Sequence, residues 1–427
     1  MLAALGCGGR RSRAWAALAG LAVRSARIPL VLVVEVAFWI CVGLIVWTQL
    51  GYAVALAALV RVLPLRRRDP LPQAPDGATL PQLSLIVAAH DEESVIAARV
   101  ANALALEYPR ERLQVIVACD GCTDATATLA REAGADLVLE LARAGKVRAQ
   151  DAAVQRASGE IVAFSDANAL WRADAARELV RAFNDPRVGY ACGQVRYADG
   201  DAGTDDNQEG LYWRYELALR AFESRLSSVT GGNGAIYATR RDSYIVVDAV
   251  MGHDLSLPFN VVKRGLRAVY VPTALSSEKM VPSLGGEFAR KRRMASHTWP
   301  IVLRGGMLSP RGYPPGYALM ILSHRLLRYA TPLLHVLALA LNVALVVGDW
   351  GPAHPAHLTH PIRALYVVTL GLQLALLLGA WLAGRIRWRG LLVARYYVLT
   401  TASLAAGLGD WLRHGTEATW EAAEGTR

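Results

Sequence analysis

The chain has 427 residues, 53% of them hydrophobic and 19% charged, with a formal net charge of +10. That is too apolar and too weakly charged for a disordered chain, and five scattered cysteines exclude a disulfide scaffold. Nine arginines face only Glu35 and Asp69 within residues 1–75, beside the first apolar run, so the positive charge points to a membrane surface and away from nucleic acid.

A basic segment, 1–35, leads into residues 36–60, which carry no charge. A helix of ~20 residues crosses a bilayer core, whereas a cleaved signal peptide has an apolar core of roughly 7–15, so 36–60 reads as an anchor. A linker with Pro and Gly follows over 61–81. Strand and helix patterns then alternate: strands at 83–89, 114–118 and 160–164, helices at 94–106, 124–133 and 146–157. Such alternation predicts an α/β domain over 82–300, with a mostly parallel sheet and helices on both faces.

Residues 301–328 end in an amphipathic stretch that reads as an interfacial segment. Residues 329–348, with His335 as their one group that titrates near neutral pH, and the uncharged 364–384 are further spanning candidates. Residues 391–412 read as an interfacial helix or a fourth span, because their uncharged core, 396–409, is short. A tail, 413–427, closes the sequence given. Arg61, Arg66, Arg67 and Arg68 after the first run, and Arg385, Arg387 and Arg389 after the third, place the α/β domain on the cytoplasmic side of the inner membrane.

In parallel sheets, ligands sit at the carboxyl ends of the strands. There the first strand delivers His90-Asp91-Glu92-Glu93, the second Asp120 within a Cys119–Cys122 pair, and the third Asp166-Ala167-Asn168. One acidic residue there is an ordinary cap. Three together suit a polar nucleotide and a hard cation, Mg²⁺ or Mn²⁺, which favours oxygen ligands and phosphates. The cysteine pair reads as small residues in a tight loop, with a redox pair or a zinc half-site as the rivals. Lys146, one of only four lysines, follows Gly145 at a helix start and suits a phosphate or plain solvent exposure. Gly231-Gly232-Asn233-Gly234 is a loop that lets backbone approach a ligand. In His253-Asp254, the aspartate is a candidate general base or an N-cap.

These motifs, in this order, resemble the membrane-bound family 2 glycosyltransferases, the group of exopolysaccharide, cellulose, chitin and hyaluronan synthases. The resemblance covers residues 82–300 and extends into the membrane region. It implies a GT-A fold (nucleotide-diphospho-sugar transferase-like), a cytosolic domain inserted between transmembrane helices, and inversion at the anomeric carbon. It also implies a nucleotide-sugar donor, a UDP-sugar. His90, Glu92 and Asp120 then contact the nucleoside, Lys146 lies by the diphosphate, and Asp166 with Asn168 holds Mg²⁺ or Mn²⁺. Asp254 is then the base, and Gly232, Asn233 and His253 lie on the acceptor side with Arg290, Arg293 and Trp299. The tail, with Gly415 and Trp420, resembles the ending of some exopolysaccharide transferases.

Three departures stand out. Asn168 replaces the second Asp of Asp-x-Asp, and His253 replaces a Glu. No Gln-x-x-Arg-Trp occurs where residues 290–299 stand, which favours limited additions over processive synthesis. The basic run there equally suits anionic lipid. The expected acceptor is a glycan or a lipid-linked sugar in membrane lipid, with no nucleic-acid partner and the oligomeric state open. A catalytically silent scaffold of a polysaccharide machine is the alternative.

Overall fold

The computed structural model describes residues 30–63, 80–198, 208–279, 284–348, 360–386 and 388–419. Most of the basic segment, most of the linker, and Trp420 lie outside them. The chain divides into two compact units, 1–49 with 330–398 and 50–329 with 399–427.

The elements run α1 (Leu30–Val62), β1 (Leu83–Ala89), α2 (Ile96–Leu104), β2 (Leu113–Asp120), α3 (Thr126–Glu132), β3 (Leu137–Leu141), α4 (Lys146–Arg156), β4 (Ile161–Asp166), β5 (Leu170–Trp171) and α5 (Ala175–Arg181). Then come β6 (Val188–Ala198), α6 (Gln208–Leu226), β7 (Tyr237–Arg240), α7 (His253–Lys263), β8 (Arg267–Lys279), α8 (Leu284–Leu303), α9 (Pro315–Val347), α10 (His360–Leu382) and α11 (Arg389–His414).

The sheet order is β3-β2-β1-β4-β7-β6-β8-β5. β3, β2, β1 and β4 are mutually parallel, β7 runs antiparallel to both β4 and β6, and β6 pairs parallel with β8. Every residue of β1 is buried, as expected of a parallel strand covered on both faces. Along β1, Leu83 and Leu85 pack with Leu179 and Val180 of α5, while Val87 and Ala89 pack with Ile96 and Val100 of α2. α4 packs against β1 and β2. The predicted strands and helices thus stand within a few residues of their expected places, and β1, β2 and β4 end side by side.

Four helices, Leu30–Val62, Pro315–Val347, Ala364–Leu382 and Arg389–His414, are long and apolar enough to cross a membrane. The last includes 391–412, now one 26-residue helix. The expected separate segment at 301–328 is corrected here, because its last turns are continuous with the following helix in α9. Its polar side is not laid on a surface: Ser323, His324 and Arg325 are buried, with His324 against Glu216 and Glu223 of α6 and Arg325 against Thr230. In the unit formed by 1–49 and 330–398, Phe38, Cys41, Ala338, Leu345 and Tyr366 bury one another, with Phe38 edge-on to Tyr366 at 5.8 Å.

Candidate active site

The end of β1 is tied to the loop after β2. The His90 Nδ1–H donates to the Asp120 carbonyl (2.8 Å), and the Thr123 amide donates to Asp91 Oδ1 (2.7 Å). The Glu92 amide donates to Thr126 Oγ1 (2.7 Å), and Glu92 itself is buried. Asp91 has φ of +50°, a conformation that aspartate tolerates better than most residues. His90, Asp91 and Cys122 hold potential ligand atoms within 4.8 Å of one another. Cys119 and Cys122 are both free thiols. The hydrogen bond with Cys119 draws the Cys122 thiol down to about 7, while the same bond and burial push Cys119 up.

Asp120 is committed to the backbone. Its Oδ1 accepts the Ala144 amide (2.6 Å) and its Oδ2 the Gly145 amide (2.9 Å). It therefore fixes the turn that starts α4. Gly145 has φ of +95°, and a Cβ there would overlap the carbonyl oxygen of Ala418. The segment after α11 therefore runs against this turn, anchored where the Thr416 hydroxyl donates to the Ser296 carbonyl (2.8 Å).

Lys146 opens α4 and its Nζ forms an ion pair with Asp166 at the end of β4. The two side chains retain 27% and 31% exposure, so the pair is partly open to solvent rather than sealed in the core. Burial works against the ammonium, but Asp166, and then Asp254 and Glu278, outweigh it and hold the Lys146 pKa above its ordinary value. A Cβ on Gly234 would lie 3.3 Å from Lys146 Nζ and 3.7 Å from Asp166 Oδ2. The Gly-rich loop therefore walls this pair closely.

Behind Asp166 stands Arg99, fully buried, which donates to Ser165 Oγ (3.1 Å) and Asn102 Oδ1 (2.8 Å) and lies over the Trp171 ring at 5.4 Å. Burial without a carboxylate partner lowers its pKa to about 9. Its position in the helical apolar pattern of α2 hides it from a sequence reading. Glu278, whose charge reaches Lys146, was missed for a similar reason: no motif marks the end of β8.

The loop delivers Asp254. The Gly232 amide donates to the Asp254 carbonyl (2.7 Å). Among the described residues no group is hydrogen-bonded to the Asp254 carboxylate, while its charge is felt by Lys146, Tyr237 and His297. His253, its neighbour, is turned into the core against the edge of Phe164. Its Nδ1 lies 3.2 Å from the Tyr237 hydroxyl and its Nε2 3.2 Å from the Tyr244 hydroxyl. Tyr244 gives its own proton to Asp151 (2.7 Å), so Nε2 carries the imidazole hydrogen and Nδ1 accepts from Tyr237. Burial, with the charge of Lys146 beside it, lowers the His253 pKa to about 3.

Asn233 is likewise structural, with Nδ2 donating to the Gly193 carbonyl (2.7 Å) and Oδ1 accepting the Ile236 amide (2.9 Å). Trp299 is buried and donates through Nε1 to the Leu404 carbonyl (3.1 Å), tying α8 to α11. Arg292 joins the same two helices by a bidentate pair with Asp410, both bonds 2.6 Å. Arg290 reaches Met294 Sδ at 3.8 Å on its own helix. Arg293 lies closer to the site, since its charge lowers the pKa of His297, which burial lowers first. Asn168 follows β4 two residues after Asp166, half-buried.

The structure therefore brings together Lys146, Asp166, Gly232 and Asp254, and sets His90, Glu92 and Asp120 along the adjoining strand ends. It does not bring Trp299 to that cluster. A carboxylate–ammonium pair under a glycine loop, with an uncommitted carboxylate across it, can hold a phosphorylated ligand and take a proton from a hydroxyl.

Residues 84–245 match the family model Glycosyl transferase family 2. An N-acetylglucosaminyltransferase of Rhizobium sp. (strain N33) is 25% identical over 249 residues, 54% of this chain and 55% of that protein. A beta-monoglucosyldiacylglycerol synthase of Synechocystis sp. (strain ATCC 27184 / PCC 6803 / Kazusa) is 30% identical over 224 residues, 48% of this chain and 43% of that protein. The chain thus spans about half the length of these curated relatives. A solved mannosyltransferase from Pyrobaculum calidifontis, in complex with GDP-Man and Mn²⁺, shares the fold with a TM-score of 0.65 at 23% identity, over 89% of this chain and 99% of that one.

Proposed function

We propose that this chain, which carries a glycosyl transferase family 2 domain with a GT-A fold, is an inverting transferase at the cytoplasmic membrane. It moves a sugar from a nucleotide-sugar donor, a UDP-sugar, to a polysaccharide or lipid-linked acceptor. The observation that carries this reading is the juxtaposition of the Lys146–Asp166 pair with the uncommitted Asp254 across one glycine loop.

Asp166 and Asn168 offer hard oxygen donors, and the missing side chain at Gly234 leaves Asp166 Oδ2 open beside it. That donor set fits Mg²⁺ or Mn²⁺, and the mannosyltransferase of the same fold was solved with Mn²⁺. Held by Asp166 and Asn168, such a cation would supply charge neutralisation for the leaving diphosphate. Lys146 adds a positive charge on the same side, at a helix start where backbone amides also favour an anion. His90 and Glu92 border the nucleoside end, and Asp120 holds the Ala144–Gly145 turn that shapes the phosphate side. An acceptor hydroxyl attacks the anomeric carbon from the side opposite the diphosphate. The new C–O bond forms as the bond to the diphosphate breaks, and the hydroxyl proton passes to Asp254. One displacement inverts the anomeric centre. His253 positions Asp254 by fixing the start of α7.

The test is nucleotide release from UDP-, GDP- and dTDP-sugars by detergent-solubilised full chain, with and without Mn²⁺ and with membrane lipid extract as acceptor. Release of one nucleotide that requires the cation is expected, falling ~10²–10⁴-fold in Asp254→Asn with nucleotide binding kept. A folded protein that binds no nucleotide sugar in Mg²⁺ or Mn²⁺ refutes the transferase reading. Full activity in Asp254→Asn refutes the base.

A further inference from the structure

At the Gly231 end of the glycine loop lies a buried ionic cluster that the proposed chemistry does not use. α6 contributes Glu216, Arg220 and Glu223, and α9 contributes His324, Arg325 and Arg328. Residues Ile321–Leu326 of α9 are wound as a π-helix, a distortion that recurs at functional sites, and it turns Ser323, His324 and Arg325 inward together. Glu223 Oε1 lies 2.6 Å from His324 Nδ1 and accepts the Tyr52 hydroxyl (2.7 Å), and Oε2 accepts the Thr230 amide (3.0 Å). Glu216 is paired with Arg328 and lies 3.4 Å from His324 Nε2. Arg325 Nε donates to Thr230 Oγ1 (2.9 Å).

Both carboxylates are therefore taken, and three guanidinium groups face two carboxylates before any charge on His324 is counted. The surplus donors can be named. Arg220 is 5% exposed, and its Nε and Nη1 have no partner; Arg325 is 8% exposed, and its Nη2 has none. The fully buried Tyr190 hydroxyl also lacks one. These groups converge. A Cβ on Gly231 would lie 2.5 Å from Arg325 Nη2, one on Gly232 would overlap the Tyr190 hydroxyl and approach Cys192, and the charges of both Arg220 and Arg325 reach the Cys192 thiol. A buried guanidinium left without an acceptor is costly, and its planar fork suits the oxygens of a phosphate.

We propose that Arg220, Arg325 and Tyr190 bind a phosphate group carried by the lipid acceptor. The lipid source follows from where the donors sit: Arg325 lies on α9 and Tyr52 on α1, both helices long enough to cross a membrane. Gly231 and Gly234 are at most ~11 Å apart along the chain. A phosphate held at Gly231 thus sets the group attached to it within reach of Asp254, whose carbonyl is bonded to Gly232. The inference rests on the transferase reading for the purpose of the site, but its binding test uses no donor.

The experiment titrates the detergent-solubilised full chain with dioctanoyl phosphatidic acid and, separately, with inorganic phosphate. The signal is Trp213 fluorescence, since Arg220 lies 5.3 Å over that ring; Trp213→Phe identifies it. Saturable binding of the lipid phosphate is expected, at least tenfold weaker in Arg220→Gln and in Arg325→Gln. If a Gln variant fails to fold by its melting profile, the Lys variant replaces it, which keeps the charge, loses the fork and should bind several-fold more weakly. No saturable change, or unaltered affinity in the folded variants, overturns the site. Equal affinity for inorganic phosphate overturns the lipid source. Loss of the transferase reading shows in nucleotide release and leaves this titration unchanged.

Discussion

His253 gives the domain a pH dependence that one substitution isolates. Burial and the nearby Lys146 ammonium bring its pKa from the ordinary 6.5 to about 3. Between those values the unfolded chain binds a proton that the folded chain does not, so stability is complete above ~6.5 and is lost as the pH falls toward 3. From pH 7.5 to 5.0 this single side chain costs ~2 kcal/mol. For a domain of roughly 150–250 residues that is about 4–8 °C in melting temperature. His253→Gln cannot take up the proton. Melting by intrinsic fluorescence at the two pH values should show the parent losing about 4–8 °C more than His253→Gln, whatever the other groups do. Equal losses in the two proteins would mean that His253 is solvated or already protonated when folded, and the burial argument would fall with it.

Three further outcomes follow from the geometry. Lys146→Met removes the cation paired with Asp166, and a lost charged hydrogen bond of ~1.5–3 kcal/mol should raise the donor KM by about 10–100-fold in initial-rate assays; an unchanged KM excludes Lys146 from the diphosphate. Gly145→Ala places a side chain at φ of +95° and against Ala418, so it should cost at least ~1–2 kcal/mol and loosen the segment after α11. Faster tryptic cleavage after Arg413 would report that loosening, and an unchanged rate would refute the contact. Trp299→Phe removes the donor to Leu404 and should lower stability by ~1 kcal/mol with the donor KM unchanged; a raised KM would return Trp299 to the site.

The parallel half of the sheet was legible because β1, β2 and β4 are largely apolar runs, β2 and β4 ending in an aspartate and β1 followed by His90-Asp91. Lys146 at the start of α4 and Asp254 in the first turn of α7 stand where turn glycines announced them. β3 was missed because none of its residues is fully buried and Glu140 within it is exposed. The parallel pairing of β6 with β8, interrupted by two register shifts, leaves no local pattern. The roles of individual side chains were least legible. His253, Asn233 and Trp299 carry the residue types of a polar site, yet each spends its polar atoms on partners that are not adjacent in sequence. Asp120 shows the same thing from inside a recognised motif, since its carboxylate is held by the backbone of Ala144 and Gly145. The buried arginines of α6 and α9 were hidden because a charge pattern on a helix reads as a solvated face until its partner helix is known.

The contact between Gly145 and Ala418 also orders events during synthesis. The turn beside Lys146 belongs to the first half of the chain, but the backbone that covers it is translated only after α11. A ribosome that has released the whole sheet still displays that turn open to water. That side of the domain is finished only when the segment following α11 folds back onto it. Completion of that turn is thereby tied to delivery of α11, the last of the four long apolar helices among the described residues, so truncations within α11 should leave a folded sheet with the Gly145 turn uncovered.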